Sequence, residues 1–304
     1  MKKKVVITGA TGFIGRRLCG ALKKKGYTVT AVSRHRETAR RILGKNITYC
    51  GYDRNELTSC LEKSFCVINL AGDNIASGRW TNAKKEKILK SRVKTGKLLT
   101  ASLKKCEKKP AVFIQASATG FYGARGEEML TEKSGKGRGF LADVCSRWEK
   151  STKNAGTEKT RHIAVRTGVV LDKDGGMLPK LILPFKFFVG AVLGKGTQWF
   201  SWIDIKDWTG AALHIMENKK ISGPVNLTAP APLSNSELAH VLGKKLKKPV
   251  LFRVPSSIIK LFFGGMGKEL ILSGQKVIPK KLLDTGYKFK YPNIDLSLNK
   301  NLKN

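Results

Sequence analysis

Three glycines spaced three apart, in Thr8-Gly9-Ala10-Thr11-Gly12-Phe13-Ile14-Gly15, follow directly on the apolar run Val5-Val6-Ile7. Glycines so placed permit a tight turn, a close approach of backbone to a pyrophosphate, and close packing of a helix on a strand. The amides and dipole of a helix beginning at Gly12 are suited to holding phosphate. The chemistry implied is the binding of a dinucleotide. Where such a ligand ends in a plain ribose, an acidic residue about 20 positions on takes the 2′-hydroxyl. This chain has Ser33 and Arg34 there, with Arg36 just beyond. A carboxylate would repel a 2′-phosphate, whereas a hydroxyl and a guanidinium would bind it. The residues therefore predict NADP(H) over NAD(H).

The elements that must position these groups alternate through the first two-thirds of the chain. Val5 to Ile7 reads as a buried parallel strand, and Phe13, Leu18 and Leu22 as the apolar stripe of the following helix. Further strands are predicted at Tyr27 to Val32, Ile47 to Tyr49, Cys66 to Leu70, Val112 to Ser117 and His162 to Arg166. Helices are predicted at Arg36 to Leu43, Asn55 to Leu61, Ala83 to Lys105 and Phe140 to Asn154. This rhythm implies an α/β fold with a doubly wound parallel Rossmann sheet, its ligand beyond the carboxyl ends of the strands.

From about Gly175 the pattern turns to Gly/Pro-rich apolar chain, then to a capping box, Ser234-x-x-Glu237, that starts a helix through Leu242. The expected organisation is a cofactor-binding domain over residues 1–174, completed by about 200–230. A smaller C-terminal substrate lobe is expected from 175–199 and 231–304. The aromatic residues Trp80, Trp199, Phe200 and Trp202 are candidates for the wall of a substrate pocket or for core between the lobes.

The chain of 304 residues carries a formal net charge of +36, spread along its length with no basic tail. No helix-turn-helix, zinc signature or aromatic-basic platform accompanies it, so specific nucleic-acid binding is not expected. The cysteines Cys19, Cys50, Cys60, Cys66, Cys106 and Cys145 contain no Cys-x-x-Cys pair and read as reduced core residues of a cytoplasmic protein. The four histidines lack metal-ligand spacing, so no metal site is expected. No signal peptide is expected, because Gly9, Gly12, Arg16 and Arg17 interrupt the apolar start. The longest apolar stretch, Leu181 to Leu193, is broken by Pro184 and Lys186 and is too short to span a bilayer.

The spacing of the first motif resembles that of the extended short-chain dehydrogenase/reductases. Further segments extend the likeness, among them Asn69-Leu70-Ala71-Gly72-Asp73-Asn74-Ile75-Ala76, Ser117-Ala118-Thr119-Gly120-Phe121-Tyr122-Gly123 and Trp148-Glu149. Arg166-Thr167-Gly168-Val169-Val170-Leu171 and Gly223-Pro224-Val225-Asn226-Leu227-Thr228-Ala229-Pro230 continue it. Together they resemble the atypical, epimerase-like YfcH family along nearly the whole chain, including its C-terminal segment of unknown function. The resemblance implies that the dinucleotide touches Gly9, Gly12, Phe13, Ile14, Ser33, Arg34, Leu70, Ala71, Gly72 and Arg92, with Val170 at the nicotinamide end. It also implies a possible homodimer through the Ala83 to Lys105 and Phe140 to Asn154 helices.

The chemistry departs from the superfamily. Its Tyr-x-x-x-Lys pair, in which lysine lowers the tyrosine pKa for proton transfer, is replaced by Leu141 and Cys145, or in the register one residue earlier by Phe140 and Val144, and the usual catalytic Ser/Thr position is Ala118. Candidate acid/base groups that remain are Tyr122, Ser117 and Thr119, followed by Cys145 and Glu149. Asp204 stands where the family typically has histidine, and Lys206 where an acidic residue is usual. Two readings follow: an NADP(H)-dependent oxidoreductase or epimerase-like enzyme of unknown small-molecule substrate, or a catalytically silent NADPH-binding regulator, linked through the resemblance to cell division.

Overall fold

The computed structural model describes residues 2–302. Seven parallel strands form one sheet: β1 (Lys4–Thr8), β2 (Thr28–Val32), β3 (Thr48–Cys50), β4 (Cys66–Asn69), β5 (Val112–Ala118), β6 (Arg161–Thr167) and β7 (Gly223–Leu227), in the order β7-β6-β5-β4-β1-β2-β3. The order reverses between β1 and β4, which pair in register from Val5↔Cys66 to Thr8↔Asn69. A crevice opens at such a reversal, beyond the carboxyl ends of the two strands. The chain there is Gly9 after β1 and Leu70 after β4.

Alternation along each strand builds a separate core on each face. Val5, Ile7, Cys66, Ile68, Val112 and Ile114 point to one side, where α1 (Phe13–Lys24) supplies Leu18 and Leu22. Val6, Val67 and Phe113 point to the other, against Leu57 and Leu61 of α3 (Arg54–Leu61) and Leu99 and Leu103 of α4 (Asn82–Lys104). Between α1 and α3 lies α2 (Arg36–Leu43). The expected helix from Phe140 to Asn154 is shorter: α5 spans Phe140–Lys150, followed by a 3₁₀ turn at Lys153–Ala155. Ser151 and Thr152 end it by turning their hydroxyls onto the carbonyls of Trp148 (2.7 Å) and Glu149 (3.3 Å).

A third core collects Leu171, Trp202, Leu238, Leu242 and Leu298. It draws on α6 (Leu178–Lys186), α8 (Asn235–Leu246) and α11 (Ile294–Leu302), whereas α7 (Ile205–Glu217) adds Ile205, Trp208 and Ala211 to the first core, beside α1. The capping box is formed in both directions at Ser234 and Glu237, and α8 runs four residues beyond Leu242 until Lys247 turns left-handed at φ 53°. α9 (Ser256–Met266) and α10 (Lys280–Asp284) complete the chain. No helix among the described residues is long and apolar enough to cross a membrane.

Asp204 and Asp207, at the start of α7, are both fully buried. Asp204 accepts from Ser297 Oγ (2.9 Å), Asn301 Nδ2 (3.0 Å) and Lys300 Nζ (3.0 Å), all on α11. Asp207 accepts the amides of Lys290 and Tyr291, each at 2.8 Å. The departure from histidine at position 204 thus has a structural use in this chain, clamping the C-terminal segment to the body.

His162 stacks on Phe113 and bonds Thr152 through Nε2 at 3.0 Å, and burial holds its pKa below the ordinary imidazole value. A depressed folded pKa leaves stability intact above the unfolded value and removes it as pH falls through the folded one. Urea midpoints are therefore expected to drop as the pH falls below the ordinary imidazole value of about 6.5, and His162→Gln is expected to flatten that drop.

Candidate active site

The glycine loop is shaped by its own missing side chains. Gly9 lies at φ +70°, and a Cβ on it would stand 2.8 Å from the Leu70 carbonyl carbon and oxygen. The turn is closed by the Gly12 amide on Gly9 O at 3.1 Å. Gly12 caps α1 with extended backbone, no side-chain cap and no acidic residue in the first turn. The amides of Phe13 and Ile14 are thereby left for an outside acceptor. The Phe13 ring packs beneath the Gly175-Gly176 turn, and that turn continues to Met177, whose amide reaches Val170 O at 3.0 Å. Phe13 and Val170, far apart in sequence, so meet at one end of the crevice.

Because Thr8 pairs with Val32, the residues after β2 emerge beside the glycine loop. Ser33 turns back on itself, its hydroxyl 3.2 Å from both the amide and the carbonyl of His35. Arg36 is taken by Glu56 in an ion pair. Arg34 is exposed, and no carboxylate among the described residues pairs with it. Of the two arginines in the sequence reading, Arg34 is the one without an ion pair among the described residues.

On the other side of the crevice, strand ends are held by a buried polar row. Thr8 Oγ1 donates to Asn69 Oδ1 (2.6 Å), Asn69 Nδ2 donates to Gln115 Oε1 (2.9 Å), and Gln115 Nε2 donates to Ala116 O (2.7 Å). Ala71 N also turns onto Asn69 Oδ1 at 3.3 Å. The chain then passes Gly72, where a Cβ would press on the Arg92 guanidinium at 2.9 Å. Small size at position 72 therefore makes room for Arg92. Arg92 is 9% exposed, sits 4.8 Å above the Trp148 ring, and donates through Nη1 to Asp73 O (3.0 Å) and Ile88 O (3.1 Å). It is neither a surface cation nor a free phosphate hook: it holds the loop after β4, with Nε and Nη2 left over.

The candidate acid/base groups fare differently. Tyr122 is wholly buried, its hydroxyl donating to Asn226 Oδ1 at 2.7 Å and accepting from Arg166 Nη1 at 3.1 Å, and burial raises its pKa. Ser117 Oγ donates to Glu149 Oε1 at 2.6 Å, and Glu149 grips Arg166 through Nε and Nη2, both at 3.0 Å. Ser117, Glu149, Arg166, Tyr122 and Asn226 thus form one internal chain of hydrogen bonds. In this arrangement the hydroxyls of Tyr122 and Ser117, two of the expected acid/base groups, are both bonded to other side chains of the protein. Cys145 is buried too, and burial pushes its thiol up to about 11, which keeps it protonated. Thr119, at the first position after β5 and 8% exposed, forms no side-chain hydrogen bond among the described residues.

One feature escaped the sequence reading. Glu269 caps α5 from the C-terminal segment, accepting the amides of Phe140 (3.0 Å) and Leu141 (2.9 Å). Its partner is main chain 129 residues away, which no local pattern announces. Of the four aromatics read as pocket wall or as core between the lobes, Trp202 is core, while Trp80 lies edge-on to Phe140 at 5.1 Å. The groove between α4 and α5, expected as a dimer face, is lined by Leu89, Val93 and the cations Lys90, Lys94, Lys97, Arg147 and Lys150. A two-fold contact there would set the same group of cations on both partners against each other.

The comparisons with known proteins agree with this geometry. The model of the NAD dependent epimerase/dehydratase family matches residues 5–139, and a domain of unknown function, DUF1731, matches residues 254–300. The chain is 36% identical over 292 residues to an epimerase family protein SDR39U1 homolog, chloroplastic, of Arabidopsis thaliana, covering 94% of this chain and 83% of that protein. It is 35% identical over 297 residues to epimerase family protein YfhF of Bacillus subtilis, covering 97% and 96% respectively. The crystal structure of human epimerase family protein SDR39U1 (isoform 2) with NADPH superposes with a TM-score of 0.89 at 30% identity, covering 99% of each chain. With a parallel sheet, a glycine loop at its switch point and relatives matched end to end, the chain belongs to the NAD dependent epimerase/dehydratase family, among the SDR39U1-like epimerase family proteins.

Proposed function

We propose that the protein binds NADP(H) and uses it as an oxidoreductase or epimerase-like enzyme on a small-molecule substrate. The observation that carries this is Arg34, an unpaired guanidinium beside the glycine loop where an NAD site would hold a carboxylate. The human relative crystallised with NADPH supports it. The amides of Phe13 and Ile14 take the pyrophosphate, and Ser33 and Arg34 take the 2′-phosphate. Leu70, Ala71 and Gly72 form the wall along the strand end, Arg92 offers its remaining donors from beneath, and Val170 borders the nicotinamide. When bound, the cofactor supplies or accepts hydride.

The protein's part is to hold the substrate and to manage its proton. With Tyr122 and Ser117 engaged internally, the Thr119 hydroxyl is the group left to bond a substrate oxygen at the end of β5. Calorimetric titration with NADPH, followed by NADPH oxidation across a panel of carbonyl compounds, tests the reading. Thr119→Val is expected to keep the NADPH affinity and to lower turnover about 10²-fold. Equal turnover would remove Thr119 from the chemistry.

A second reading rests on α5, where Leu141 and the protonated Cys145 replace the proton-transfer pair. It makes the protein a silent NADPH-binding regulator, and it predicts tight binding with no turnover on any member of the panel.

A further inference from the structure

Ten of the fourteen large apolar side chains that stand exposed among the described residues fall in two short stretches, 183–189 and 251–263. Phe187 is 71% exposed, Leu251 73%, Leu261 70% and Phe262 66%. The stretches are joined in space, because Ala191–Leu193 pairs in parallel with Phe252–Val254, and Pro255 leads straight into α9. Leu261 and Phe262 follow Ile258 by three and four positions, so α9 turns one apolar face outward.

At the tip of the neighbouring stretch Phe188 is held at φ 59°, a left-handed conformation that bulky residues rarely adopt. The Lys248 ammonium lies 3.3 Å from the centre of its ring. Apolar surface of this extent on a water-facing protein marks a contact site.

Charge selects the occupant. From Gly175 to Ile203 the chain holds three cations and no acidic residue, and from Leu238 to Lys268 seven cations and none. Outward Phe and Leu interleaved with Lys and Arg is the composition of a surface that lies in a lipid interface, apolar groups among the acyl chains and cations at anionic headgroups. We propose that α9 and the Phe187-Phe188 tip dock the protein peripherally on an anionic lipid bilayer. The same helix is tied to the loop after β4, since Arg79 Nη2 donates to Leu261 O at 2.7 Å. Docking therefore engages a helix bonded to the loop that leaves β4.

The test is flotation of the full chain with vesicles of equimolar phosphatidylglycerol and phosphatidylcholine, against vesicles of phosphatidylcholine alone. The wild type is expected to float with the anionic vesicles only. The double variant Leu261→Ser, Phe262→Ser, which leaves the charge unaltered, is expected to lose at least about tenfold in partitioning, since one buried large apolar side chain already accounts for that factor. Its circular dichroism, NADPH affinity and retention on a heparin column are expected to be unchanged, which separates a lost membrane face from a lost fold or a lost cofactor site.

Equal flotation of the variant would overturn the proposal in favour of bare attraction by the +36 charge. So would failure of the wild type to float. A wild-type dimer in sedimentation that the variant dissolves, with no vesicle binding, would assign the face to a second copy instead.

Discussion

Replacing Arg34 with alanine is expected to weaken NADPH binding by about 2 kcal/mol, close to 30-fold, and to leave NADH binding unchanged. The asymmetry follows from which atoms the two cofactors differ in. A guanidinium against a phosphate dianion forms charge-assisted hydrogen bonds, and these are worth more than bonds between neutral groups. The ribose hydroxyl of NADH offers it no comparable charge. The position also matters: Arg34 is exposed and unpaired, so its removal breaks nothing inside the protein, whereas Arg36 is already neutralised by Glu56. Arg36→Ala should accordingly change the ratio of the two affinities far less. Calorimetry on the two variants with both cofactors gives four affinities. A loss shared equally by NADPH and NADH in Arg34→Ala would sink the assignment of Arg34 to the 2′-phosphate.

The contrast between the two arginines shows what was legible in the sequence. Strand-loop-helix order, the glycine loop and the lack of a carboxylate after β2 depend on residues close together, and all stand where the spacing placed them. Neither the pairing of Arg36 with Glu56 nor the freedom of Arg34 depends on spacing, because each is set by how α3 folds back beside β3. Tyr122 illustrates the same limit more sharply. Its place just past β5 pointed to the crevice, yet its hydroxyl is taken up by Asn226, 104 residues on, and by Arg166. A strand-end tyrosine looks the same in sequence whether it turns outward or inward. What decides is a buried arginine needing acceptors for its donors on every side, and that need arises only once β6 lies between β5 and β7.

That arginine carries the largest expected effect on stability. Arg166 is 5% exposed, clasped by both oxygens of Glu149, bonded to Tyr122 and set 3.5 Å from the centre of the Phe121 ring. Arg166→Met preserves the stem and some of the packing but strands the Glu149 carboxylate in a nearly dry site, with Ser117 Oγ as its one remaining side-chain donor. Removing one partner of a buried ion pair costs about 3 to 5 kcal/mol, chiefly through the charge left behind. Against a total stability of about 5 to 15 kcal/mol for an ordinary domain, that is enough to lower the urea midpoint steeply. If the stranded charge is the cause, removing it too should help. The double variant Arg166→Met, Glu149→Leu is then expected to be more stable than Arg166→Met alone, the opposite of additive losses. NADPH affinity gives an independent reading, since the internal chain ends at Ser117 and Asn226 and includes none of the groups assigned to the cofactor. Urea unfolding of the two single variants and the double would show whether this chain of bonds is held together by its charge pair, and a double variant weaker than either single one would refute it.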